Sequence, residues 1–259
     1  MFNLSSQLGI KSYSFRTIKE IPDLIDAIKE CAVDGIDLSA CHVNYDDVAE
    51  QEKLIALLGG AGIRISGIGV VNLQSDEAFN RRFFEFAQRS QCGLVSLSFE
   101  PQHHEDVIKM VERFCDEYGV RAAIHNHGGR HWLGNTTALR YVFGKSSDRI
   151  GLCLDTAWCL QAGGNPVEWL EIFGERLYGV HFKDFVFTRE GKNQDIVVGQ
   201  GALDLPAFIE KFRTLPFDGS AVVEFEGEDP VQQSARCVTA IRAVLDQASV
   251  PALQESLAL

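Results

Sequence analysis

The sequence predicts a (β/α)8 fold, a TIM barrel formed by a single domain spanning 1–259. Three observations carry this expectation. Short runs rich in Val, Ile and Leu alternate with longer stretches of helical spacing from one end to the other, the order that builds a parallel sheet with crossover helices. Eight such units fit into 259 residues, the usual size of such a barrel. No stretch rich in Pro, Gly or Ser divides the chain.

The first unit pairs a strand at 8–12 with a helix at 21–31, where Ile21, Leu24, Ile25 and Ile28 make one apolar face and Pro22 occupies the first turn. The second and third pair strands at 35–39 and 63–71 with helices at 46–58 and 76–89. The fourth and fifth place strands at 94–99 and 120–126 before helices at 105–118 and 136–143. The sixth to eighth pair strands at 150–154, 177–182 and 221–225 with helices at 166–173, 205–213 and 230–245. An open doubly wound sheet would need a phosphate-cradling glycine loop after an early strand. The first strand instead leads into Ser12-Tyr13-Ser14-Phe15-Arg16, and Gly67-Ile68-Gly69 is only a fragment of that motif.

Composition narrows the partners. Lys and Arg number 24 against 36 Asp and Glu, a net charge of −12, which disfavours nucleic acid and anionic membranes because both need basic side chains. Hydrophobic residues at 46% and charged residues at 23% fit a folded globular chain rather than a disordered one. The 7 cysteines are odd in number, scattered and without a CxxC pair, as expected of reduced thiols in the cytoplasm. No apolar run approaches the roughly 20 residues needed to span a bilayer.

In a barrel, alternate side chains face the interior, and active sites form at the carboxyl ends of the strands. By this parity Ser96, Ser98 and Glu100 share the inner face of the fourth strand, and Ala123, His125 and His127 that of the fifth. Cys153 and Asp155 follow on the sixth, His181 and Lys183 on the seventh, and Glu224 and Glu226 on the eighth. Four consecutive strands thus end with His125, Asp155, His181 and Glu224, a residue set that binds a divalent transition metal. Taken singly, each has another reading: Asp155 as a helix cap, the histidines as hydrogen-bonded strand ends, Glu224 as a solvated carboxylate.

The segments AIHNHGG (123–129), GLCLDTA (151–157), GVHFKD (179–184), GQGALD (199–204) and GSAVVEFEG (219–227) resemble the xylose-isomerase-like sugar phosphate isomerase/epimerase superfamily. The resemblance implies a metal-bearing barrel in which His181 and Glu224 match the family's ligands on the seventh and eighth strands and Asp155 matches the sixth-strand aspartate. Two departures from the pattern matter. His125 stands where many members carry a glutamate, one of the usual pair of proton-transfer groups. Ala157-Trp158 replaces the glycine and histidine of the common DTGH.

These readings lead to one divalent ion (Mn2+, Zn2+, Co2+ or Mg2+) held by His125, Asp155, His181 and Glu224, and to proton abstraction from a sugar or keto-polyol to give an enediolate. Glu224 doubles as an acid/base candidate, Glu100 is the candidate replacement base, and Lys183 a donor to the oxyanion. Arg16, His42, His127, Trp132 and Trp158 are candidate substrate contacts. The alternatives for these are a surface role for Arg16 and His42, packing under a loop for the tryptophans, a solvated loop position for Glu100 and an ion pair for Lys183. Competing functions are a lyase that eliminates water or a glycosidic group from the same enediolate, and a carbohydrate-binding barrel without turnover. An apurinic endonuclease shares the wider superfamily, and the net charge counts against it. The expected partner is a small sugar or polyol, and homo-oligomers are compatible with the sequence. The stretch 185–198 carries the turn Arg189-Glu190-Gly191-Lys192-Asn193, which predicts a mobile hairpin or lid.

Overall fold

The computed structural model describes residues 3–247, so the expected domain bounds run past the described residues at both ends. Its strands are β1 (Gly9–Lys11), β2 (Gly35–Leu38), β3 (Arg64–Leu73), β4 (Leu94–Phe99), β5 (Arg121–His125), β6 (Ile150–Asp155), β7 (Leu177–Phe182), β8 (Asp184–Phe187), β9 (Asn193–Ile196) and β10 (Ser220–Val223). Strands β1 to β7 and β10 close into a barrel in the order β1-β2-β3-β4-β5-β6-β7-β10, and every neighbouring pair is parallel. Between β7 and β10, β8 and β9 form an antiparallel hairpin.

The helices lie outside because each has one apolar stripe to bury. In the helix Ile21–Glu30, Leu24, Ala27 and Ile28 are buried, and Ile21 and Ile25 pack against the core more loosely. Asp47, Asp76 and Asn135 cap the helices Val48–Gly60, Glu77–Arg89 and Thr136–Lys145 by accepting from the N–H three residues on, which satisfies donors a helix start leaves free. No helix among the described residues is long and apolar enough to cross a membrane.

Three details position the carboxyl face. First, the β6–β7 pairing shifts between Leu152 and Cys153, so that Asp155 comes to lie opposite His181. Without that one-residue slip Asp155 would pair with a residue of the other face. Second, polar side chains clasp the strand ends. Asn126 Nδ2 donates to Asp155 O at 3.0 Å while Asp155 N donates to Asn126 Oδ1 at 2.8 Å. Thr156 Oγ1 donates to Lys183 O at 2.5 Å and accepts from Lys183 N at 3.0 Å. Third, the chain passes closely under β10: a Cβ at Gly219 would overlap the carbonyl of Tyr178.

The sixth unit contains an additional short helix, Thr156–Gln161, which begins directly at Asp155. The eighth barrel strand ends at Val223 rather than at 225. Glu224 N still donates to Phe182 O at 3.1 Å, so Glu224 stays in line with the strand.

Candidate metal centre and its cavity

His125 is the last residue of β5, Asp155 the last of β6, His181 the penultimate residue of β7, and Glu224 follows β10 directly. All four are buried, and one ligand atom from each lies within 4.8 Å of the others. His181 Nδ1 is 3.1 Å from His125 Nε2 and 2.7 Å from Glu224 Oε2, and Asp155 Oδ2 is 3.6 Å from His125 Nε2. A single proton on His181 Nδ1 cannot satisfy both approaching atoms. Asp155 Oδ2 is enclosed and has no hydrogen-bond partner, a costly condition for a carboxylate oxygen, and Glu224 Oε2 has only the contested His181 Nδ1.

A divalent cation would resolve this conflict. Ligand bonds of about 2.0–2.2 Å put adjacent donors about 3.0–3.5 Å apart, the scale of the separations here. The donor chemistry fits as well, since two imidazoles and two carboxylates suit Zn2+, Mn2+ and related ions. Burial, reinforced by His181, lowers the His125 pKa well below its ordinary value, leaving a neutral imidazole with a lone pair to give. Burial opposes ionisation of Glu224, but Lys183 and His181 outweigh it and hold its carboxyl well below the usual range. Asp155 moves the other way: burial, partly offset by Lys183, raises it to about 6. Asp155 Oδ1 also caps the helix that follows, accepting from Trp158 N at 2.8 Å, so its two oxygens have separate tasks.

Lys183 lies directly behind this group. It is 1% exposed, its Nζ is 3.5 Å from Glu224 Oε1, and it forms an ion pair with Glu226 Oε1. These carboxylates raise its pKa against the effect of burial, so the ammonium is kept. The hairpin is tied to the same cluster, because Asp195 Oδ2 accepts from Glu226 N at 2.9 Å. Asp184, at the base of the hairpin, accepts from the N–H groups of Phe185, Gly199, Gly201 and Leu203, each at 2.9 Å. The stretch expected to be a mobile hairpin or lid is a hairpin, anchored at both ends.

A cavity of about 310 Å3 reaches two of the four, His125 and Glu224, and has His127, Trp158 and Glu226 in its walls as well. Clefts of about 510 and 1080 Å3 elsewhere include none of the four. His127 meets His125 edge-on, with ring centroids 4.6 Å apart, and burial next to two other histidines lowers its pKa to about 3.

The remaining candidates fall outside the cavity walls. Glu100 is exposed and precedes the turn Pro101–His103; inward parity ends with the strand at Phe99, so the expected inward carboxylate is not brought to the centre. Arg16 donates to Tyr13 O at 3.3 Å and to Glu226 O at 3.1 Å. Trp132 Nε1 donates to Phe99 O at 2.6 Å, and the ring packs edge-on against Phe99. His42 is buried below the rim with Nε2 2.8 Å from Ile18 O. Sequence parity pointed at Glu226 without assigning it a task, and it gave no signal for Asp195 or for Lys11, a cavity residue whose Nζ is 2.5 Å from Asp37 Oδ1.

A family model described as the xylose isomerase-like TIM barrel matches residues 25–241. The chain belongs to that family. This xylose isomerase-like barrel is 23% identical over 238 residues to the 3-oxo-isoapionate decarboxylase of Pectobacterium atrosepticum, covering 84% of each chain. It is 28% identical over 137 residues to the rhizopine catabolism protein MocC of Rhizobium meliloti, covering 48% of this chain and 41% of that protein. Among solved structures, a xylose isomerase-like TIM barrel protein from Mycobacterium smegmatis in complex with magnesium superposes with a TM-score of 0.79 at 15% identity, over 96% of this chain and 100% of that one.

Proposed function

We propose that this xylose isomerase-like barrel is a divalent-metal-dependent isomerase or epimerase acting on a sugar or keto-polyol through an enediolate. The observation that carries the reading is the convergence of four buried donor atoms within 4.8 Å beside a cavity of about 310 Å3, room for a small ligand. His125, Asp155, His181 and Glu224 would hold the ion, which supplies Lewis-acid stabilisation of negative charge developing on a substrate oxygen.

The chain's own groups do the rest. Lys183 Nζ, fixed between Glu224 and Glu226, orients the two carboxylates that face the cavity. Glu226 takes the carbon-bound proton. Its Oε1 is engaged by Lys183, so Oε2 is the oxygen offered for transfer. Burial raises its pKa against the pull of Lys183, in the direction that suits a carboxylate for proton exchange near neutrality. Trp158 presents an aromatic wall against which a sugar ring can stack, and His127 a neutral imidazole that orients hydroxyls. Glu100, Arg16, His42 and Trp132 take no part in this reading, because their placement or existing hydrogen bonds keep them from the cavity.

A lyase is the second reading, and a specific observation favours it. The carboxylates in the cavity walls, Glu224 and Glu226, both stand at the end of β10, while His125, His127 and Cys41 supply other parts of the wall. Proton removal from one side serves elimination more directly than a two-base inversion, and a protonated carboxyl on that side could return a proton to the enolate left when a carboxyl group departs as carbon dioxide. The relative named a decarboxylase agrees with that class.

The experiment is to incubate metal-loaded protein with a panel of ketoses and inososes in deuterated water. Deuterium at the carbon next to the carbonyl, recovered in an epimer or an aldose–ketose pair, is the expected result. An unsaturated or decarboxylated ketone would move the protein to the lyases. Absence of both exchange and product across the panel would overturn the reading.

A further inference from the structure

The cavity wall following β2 carries chemistry that the proposed reaction does not use. Ser39 and Cys41 line it, and Cys41 Sγ lies 3.2 Å from His42 Nδ1. A carbonyl oxygen only accepts, so the 2.8 Å contact between His42 Nε2 and Ile18 O puts the ring proton on Nε2 and leaves the Nδ1 lone pair facing the thiol. Burial lowers the His42 pKa, which keeps the imidazole in this accepting form. Nucleophile, base and a third group that orients the base are the parts of an activated nucleophile.

Two further observations set the pair apart. Ser39 is 6% exposed, and its Oγ has no hydrogen-bond partner although it is enclosed; it is an unused donor on the wall that holds the thiol. Cys41 is also the one partly exposed cysteine, while Cys31, Cys92, Cys115, Cys153, Cys159 and Cys237 are buried. Burial pushes Cys31, Cys92 and Cys115 up to about 12. It raises Cys41 too, but there Lys19, Lys11 and Arg16 act against it.

We propose that Cys41 is a nucleophilic modification site, with His42 as its base and hydrogen peroxide or a similarly small peroxide as its reactant. The sulfur attacks one peroxide oxygen as its proton passes to His42 Nδ1, an S–O bond forms and the O–O bond breaks. The departing hydroxide takes the proton back from His42 and leaves as water. Sulfur is oxidised by two electrons to the sulfenic acid, and the peroxide is reduced by the same two. Ser39 Oγ supplies a hydrogen bond to the new oxygen. The site stands on the thiol, imidazole and hydroxyl alone and does not depend on the metal reading.

The test uses the full native chain, exposed to hydrogen peroxide with dimedone to trap sulfenic acid and mapped by peptide mass spectrometry. The dimedone adduct should form on Cys41 at least about 100-fold faster than on any buried cysteine. His42→Gln should slow it by at least about tenfold, with the six buried thiols still protected from iodoacetamide as the check that the variant is folded. If that variant loosens, the wild-type chain decides the matter: Cys41 must oxidise faster in the native chain than in urea at the same pH. Equal labelling of all seven cysteines, a native rate below the denatured rate, or an unchanged rate in folded His42→Gln would overturn the proposal.

Discussion

Replacing Asp155 by Asn should have opposite effects with and without metal. Asp155 is fully buried, its Oδ1 accepts from Trp158 N at 2.8 Å, and its Oδ2 has no partner. Asn keeps the cap and removes the charge. In metal-free protein the carboxyl is raised from 3.8 to about 6, mainly by burial, so the folded chain holds this proton more tightly than the unfolded one. The associated stability is complete below 3.8, declines as pH rises, and is lost above about 6. A shift of about two units at about 1.36 kcal/mol each makes ionised Asp155 cost about 3 kcal/mol. For a chain of this size that corresponds to about 6–12 °C in melting midpoint. Metal-free Asp155→Asn should therefore melt above the wild type at pH 8, and the gap should close toward pH 4. Adding Mn2+ or Zn2+ should stabilise the wild type by about 2.7 kcal/mol at one hundred times Kd, raising its midpoint, and leave the variant nearly unmoved. Calorimetry on chelator-treated and metal-loaded samples reads both effects. A variant that melts below wild type at pH 8 without metal, or gains as much from metal, contradicts the reasoning.

Asp184→Ala would leave four N–H donors without their acceptor. It should lower stability by about 3 kcal/mol or more in urea, and the amides of Gly199, Gly201 and Leu203 should exchange faster together. Gly219→Ala should destabilise by more than about 3 kcal/mol, because its Cβ would meet the Tyr178 carbonyl and the barrel would have to shift. Gly59→Ala is the contrast. It lies in the helix Val48–Gly60 with nothing within 4 Å of the added Cβ, and a gain of about 0.5–1 kcal/mol in urea is expected.

The barrel was legible because burial on both faces writes each parallel strand as an apolar run, and because a helix packed on a sheet keeps a 3.6-residue stripe. Strand parity aligned His125, Asp155 and His181 for the same reason, since the pleat alternates as long as the strand lasts. The β6 slip at Leu152 and Cys153 was not legible, although it sets Asp155 opposite His181. Parity failed where the strand stopped: Glu100 lies one residue past β4, and a turn carries it to the surface. Asp195 reaches Glu226 through a hairpin fold-back, a long-range contact that no local period encodes. Cys41 and His42 were adjacent in the sequence, but the direction of the imidazole depended on Ile18 O, on another loop.

The central claim is that His125, Asp155, His181 and Glu224 share one divalent ion. Elemental analysis of protein prepared without chelator, alongside His181→Ala and Asp155→Ala, tests it most directly. About one equivalent of metal in the wild type, lost in both variants, is the predicted result; full retention in both variants would contradict the account.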